Sequence, residues 1–73
     1  MNAKKLFGKE VIDAQGNKIG KVDDIEVDMV KGVVNYLMIK VGLTLKYEIK
    51  LDKITTIGDK VILNIKKNEL GKK

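Results

Sequence analysis

Asp24, Glu26 and Asp28 fall at every second position of one stretch, with Asp23 beside them, and form the densest run of potential ligand side chains in the chain. Carboxylates at that spacing share one face of an extended strand and could offer oxygens to a hard cation such as Ca²⁺ or Mg²⁺. A flat strand rarely folds its carboxylates around one ion, so the row reads more simply as a solvated acidic face opposite cross-strand lysines. Other chemistry is limited by what is missing: the sequence has no Ser, Cys, His, Arg, Trp or Pro. Every Ser/His and Cys/His nucleophile arrangement is thereby removed, and only carboxylates, Lys and Tyr remain as catalytic candidates. Gly8, Gly16, Gly20 and Gly32 form no phosphate-binding series and read as turn and bend residues. Tyr36 and Tyr47 are too few for a platform that stacks bases. The expectation is a protein that is not an enzyme, with no catalytic residue, no cofactor and no metal site.

The formal charge of +5 suggests nucleic acid until it is divided along the chain. Residues 1–5 carry two Lys and residues 66–73 carry four Lys against one Glu, while residues 6–65 hold nine Lys and nine Asp or Glu. The excess therefore sits in the two ends, where any hold on nucleic acid would be weak and unspecific. Lys without Arg also lacks the bidentate fork favoured for reading phosphates and bases. No apolar run approaches the roughly 20 residues of a membrane span, and MNAKKLFGKE lacks the apolar centre of a signal peptide. The expected compartment is cytoplasmic, without membrane insertion.

These side chains must be positioned by strands. Val33 to Val41, VVNYLMIKV, is a β-rich apolar run closed by Gly32 and Gly42, and it reads as the central strand. Strands are also expected over Lys9 to Asp13, Lys18 to Met29, Tyr47 to Leu51, Ile54 to Ile57 and Lys60 to Ile65, with turns at Ala14-Gln15-Gly16-Asn17, Val30-Lys31-Gly32, Asp52-Lys53 and Gly58-Asp59. In Lys18 to Met29, Val22 and Ile25 are three positions apart where alternation allows two or four, so one extra residue at Asp23 or Asp24 is expected as a β-bulge, with a bend at Gly20. Phe7, the only Phe, is expected to plug one end of the core. No window fits a helical period. The reading is an all-β protein, a small bent antiparallel β-barrel of about six strands over residues 6–65, with a basic arm at 1–5 and a basic tail at 66–73 too poor in apolar residues to dock firmly.

Leu37, Ile39 and Val41 fall on one face of the central strand, and Val34, Tyr36 and Met38 on the other. A chain of this size buries only about 60% of the surface its unfolded form exposes. It has no disulfide or zinc staple, so subunit association is the remaining common route to stability. Val34, Tyr36 and Met38 are thus the expected protein interface, holding the chain to a second copy as a homodimer or to an unidentified protein partner.

The order of Leu6, Gly8-Lys9-Glu10-Val11, Asp13, Gly16, Ile19-Gly20-Lys21-Val22, Asp24-Ile25, Val27-Asp28 and the late Leu51-Asp52-Lys53-Ile54 resembles the PRC-barrel family over about residues 5–65. The resemblance implies a compact bent barrel used as an attachment module. The chain is similar to the stand-alone archaeal barrels, some of which serve as adaptors in cell division, and this resemblance implies an adaptor in division or in assembly of a larger complex. The chain is also similar to the C-terminal domain of a ribosome maturation factor, which implies as an alternative an accessory of RNA processing or ribosome assembly.

Overall fold

The computed structural model describes residues 3–70. Met1 and Asn2 of the basic arm and Gly71, Lys72 and Lys73 of the basic tail lie outside the described residues. A short helix α1 (Ala3–Leu6) opens the chain where a frayed arm was expected. Then come β1 (Glu10–Ile12), β2 (Lys18–Asp28), β3 (Val33–Val41), β4 (Leu45–Lys50), a 3-10 turn (Leu51–Lys53), β5 (Ile54–Ile57), β6 (Val61–Leu63) and a second 3-10 turn (Lys67–Glu69). Gly16 and Gly32 turn the chain with φ of 86° and 70°, a left-handed conformation open to Gly at no steric cost.

The strands form one sheet in the order β4-β3-β2-β1-β6-β5. Two features depart from the antiparallel barrel that the alternation predicts. The sheet is mixed, because β1 and β6 pair in parallel, Val11 with Val61 and Ile12 with Ile62. It is also not closed, since β4 and β5 remain its two edges. Both departures have one cause. The chain reverses between β1 and β2, β2 and β3, β3 and β4, and β5 and β6, but the 3-10 turn Leu51–Lys53 bends the chain from β4 into β5 without contributing a hairpin. An even number of reversals lays β6 alongside β1 in the same direction. Three residues span at most about 10 Å, so the sheet must curl until its two edges approach each other at this corner.

β2 supplies the curl. It carries one extra residue against each neighbour: Ile19 against β1, where Val11 pairs with Gly20 and Ile12 with Lys18, and Asp23 against β3, where Val22 pairs with Ile39 and Asp24 with Met38. The second is the expected bulge. At Gly20 the strands approach so closely that a Cβ would lie 2.1 Å from the Lys40 carbonyl oxygen.

The core lies on the concave side. Val11, Ile19, Val22, Leu37, Ile39, Ile49, Val61 and Leu63 are buried there, and Leu6 from α1 joins them. Leu6, not Phe7, plugs that end: Phe7 is 47% exposed, because α1 turns the earlier residue inward. Leu51 is likewise exposed, having left the strand for the 3-10 turn. The C-terminal segment is docked, contrary to expectation, with Ile65 and Leu70 packed against the core cluster.

Candidate protein-interaction surface

Residues directly opposite each other in a ladder share a face, and consecutive residues of a regular strand do not. Met38 stands opposite Asp24 and Glu48, and Tyr36 opposite Glu26 and Lys50. Both are half-buried on the convex face, each flanked by charged residues. Val34 does not continue this row. From Glu26↔Tyr36 to Val27↔Val34 the ladder advances one residue on β2 and two on β3, so Asn35 is an extra residue. Val34 is thereby rotated to the side of Val27, the face that Ile25 and Leu37 share. Strict alternation over VVNYLMIKV could not foresee this, because only the partner strand reveals the irregularity.

The β2–β3 hairpin now stands out. Beyond the core layer of Ile25 and Leu37, its end presents Val27 (41% exposed) and Val34 (36%) on that face, Met29 (85%) and Val30 (97%) in the turn, and Val33 (48%), opposite Asp28, on the other face. The turn holding this display is well ordered chemically. Asp28 Oδ1 accepts the backbone N–H groups of Val30 and Lys31, each at 3.0 Å, and its carbonyl accepts that of Gly32 at 2.8 Å. Exposed contiguous apolar patches beyond a few hundred Å² mark contact sites on soluble proteins. Of the predicted trio, Val34 belongs to this patch, and Tyr36 and Met38 lie on the opposite face.

The acidic row has local employment. Asp28 caps the hairpin turn, Asp24 Oδ1 accepts the Ile25 N–H at 2.8 Å, and Asp23 in the bulge pairs with Lys46 at 3.0 Å. Among the described residues, no group of three or more His, Cys, Asp or Glu is placed to hold a metal ion.

One residue outside the expected interface organises the other end of the molecule. Asp13 is buried, 1% exposed, and accepts four hydrogen bonds. Its Oδ1 takes the N–H of Gln15 (2.9 Å) and Asn17 (2.8 Å); its Oδ2 takes the Asn17 side-chain amide (3.2 Å) and the Lys67 N–H (2.9 Å). Ala14 N–H adds a bond to Ile65 O at 2.9 Å. The β1–β2 turn and the C-terminal segment are thus stitched into one wall. Burial opposes ionisation of Asp13, but the amide donors of Asn17, Lys67 and Gln15 outweigh it and hold the carboxyl below its ordinary range. The signal available in the sequence was an Asp before a Gly turn, which predicts the bonds to Gln15 and Asn17 but not the bond to Lys67, 54 positions away. On the outer surface, Glu10 in β1 links β2 to the β5–β6 turn, lying 3.5 Å from Lys18 and 3.1 Å from Lys60. The hydrogen bond from Lys60 exceeds the opposing effect of burial, and with the charge of Lys18 it holds the Glu10 carboxyl below its usual range.

No helix among the described residues is long and apolar enough to cross a membrane. No curated protein matches the chain. A family model described as PRC-barrel domain matches residues 1–70 of the 73, which spans every strand of the curled sheet. A small mixed sheet with an apolar hairpin and a docked C-terminal segment is therefore this chain's version of a β domain that often mediates protein interactions, and the chain belongs to the PRC-barrel domain family.

Proposed function

We propose that the chain is a non-enzymatic adaptor: it pairs with a second copy of itself and holds a further protein within a larger assembly. The observation that carries this reading is the β2–β3 hairpin, which projects five large apolar side chains beyond the core while Asp28 keeps their turn in shape. A domain this small gains stability by covering such a surface. Two hairpins related by a two-fold axis would bury Val27, Met29, Val30 and Val34 against their own copies, the self-complementary arrangement that a homodimer requires. The setting suggested by the resemblance to stand-alone barrels is a cytoplasmic complex of the archaeal cell-division kind.

Sedimentation equilibrium tests the pairing. The wild-type chain is expected to dimerise, and Met29→Asp with Val30→Asp to weaken dimerisation by at least about tenfold, the equivalent of 1.4 kcal/mol. Because both side chains are nearly free of the core, the double variant keeps the fold of the monomer and loses only the stability that pairing adds, so its midpoint no longer depends on protein concentration. Tyr36→Asp on the other face leaves the dimer intact. A wild-type chain that stays monomeric at high micromolar concentration, or a dimer lost on Tyr36→Asp and kept in the hairpin variant, contradicts the reading.

A further inference from the structure

The wall built around Asp13 borders an open, surface pocket. It has a volume of about 440 Å³ and is lined by Asp13, Gln15 and Asn17 of the β1–β2 turn, Tyr47 of β4, and residues 66–68 of the C-terminal segment. This volume lies within the roughly 300–1,000 Å³ typical of ligand sites. Two positive side chains and one buried negative one share it. The Asp13 carboxylate is bonded to amide donors and not to an ammonium group, and its bond to Lys67 is to the backbone N–H. Neither the Lys66 nor the Lys67 ammonium enters an ion pair among the described residues. Glu69, the nearest acidic residue in sequence, is tied to the Lys66 backbone N–H at 2.7 Å and is not part of the lining.

We propose that this pocket receives a carboxylate side chain from an acidic, extended peptide of the adaptor's protein partner. The proposal deepens the adaptor reading and rests on it. Lys66 and Lys67 supply the attraction, and the side-chain amides of Asn68 and Gln15 offer both donors and acceptors, which suits a peptide group next to the carboxylate. Tyr47 gives an aromatic wall against which the peptide's adjoining side chain packs. A dianionic phosphoryl group would meet the ionised Asp13 without the Arg fork that phosphate sites favour. The hydrogen bonds of Asp13 keep the wall rigid before the peptide arrives, so little ordering remains to oppose binding.

The test is a titration of the full chain with a short peptide of alternating Glu and Leu, followed by amide chemical shifts and by fluorescence anisotropy. Shifts are expected at Asn17, Tyr47 and Lys66 to Asn68. Lys66→Gln with Lys67→Gln is expected to weaken binding about tenfold or more. The pair Lys21→Gln with Lys31→Gln, outside the lining and equal in its change of net charge, is expected to change it less than about twofold, as screened charges at a distance do. The proposal is overturned if the analogue with Gln for Glu binds as well, if both double variants weaken binding alike, if the shifts fall elsewhere, or if a short oligothymidine displaces the peptide. The shift map uses the wild-type chain, so a misfolded variant cannot hide the answer. Absence of peptide binding by a chain that still dimerises sinks this proposal alone. A monomer that binds the peptide sinks the dimer and leaves the pocket standing.

Discussion

Gly20→Ala is expected to lower the thermal midpoint by roughly 15 °C, from a cost on the order of 3 kcal/mol. The added Cβ would lie 2.1 Å from the Lys40 carbonyl oxygen, 3.0 Å from its carbon and 3.2 Å from Val41 Cγ2. The nearest of these atoms is backbone, so no rotamer change relieves the clash, and β2 and β3 must separate where the sheet curls most tightly. Ile39 and Val22, paired just beyond this point and buried, would then lose their packing. A domain of this length has roughly 4–11 kcal/mol of stability in total, so the loss is a large fraction of it. Gly58→Ala is the matched control. A Cβ at Gly58 meets nothing within 4 Å and its φ is not positive, so its midpoint should move by no more than a few degrees. Thermal melting followed by circular dichroism measures both; equal midpoints for the two variants would show that β3 does not fold over β2 at Gly20.

Asp13→Ala is expected to free the C-terminal segment and to lower the midpoint on the order of 10 °C. The substitution leaves four donors without their acceptor, those of Gln15, Asn17, its side-chain amide and Lys67, in a place where Asp13 itself is 1% exposed. Donors in a part-buried place are costly to leave unsatisfied to the extent that water cannot replace the lost acceptor. With the Lys67 bond gone, the end of the segment that carries Leu70 loses a tether to the core, while the bond from Ala14 N–H to Ile65 O remains. Acid should act in the same direction. The folded carboxyl of Asp13 titrates below its unfolded value, so its contribution is complete above about pH 4 and fades as pH falls through the lower folded value. Glu10 adds to the same acid-side loss. Melting from pH 6 down to pH 2 and hydrogen exchange at the Lys67 amide measure the effect. Asp13→Asn should flatten the acid-side fall, and an unchanged midpoint with a protected Lys67 amide in Asp13→Ala would contradict the latch.

Much of the curled sheet can be read from local pattern. VVNYLMIKV forms β3 over Val33–Val41, and Ile54–Ile57 forms β5, both with the expected ends, because Gly residues and turn-forming pairs bracket each run. The three-residue spacing of Val22 and Ile25 exposed the Asp23 bulge, since a buried face must keep its register. What stayed hidden depends on partners. Asn35 is an extra residue only relative to β2, so Val34 was assigned to the row of Tyr36 and Met38. Leu51-Asp52-Lys53 has the composition of a reversal but forms a 3-10 bend, which changes the parity of the sheet and makes β1 and β6 parallel. The C-terminal segment appeared too polar to dock because its anchor is a backbone N–H on a distant carboxylate, and no side-chain pattern records that.

A second copy seated on the hairpin end would shield Met29, and oxidation by dilute peroxide reads that shielding. In a lone chain Met29 is 85% exposed while Met38 is half-buried, so the two give an internal comparison. The account predicts that Met29 oxidises quickly in dilute protein and several-fold more slowly, relative to Met38, once the concentration favours the dimer. A ratio of the two rates that stays constant across all concentrations would mean that nothing covers the hairpin.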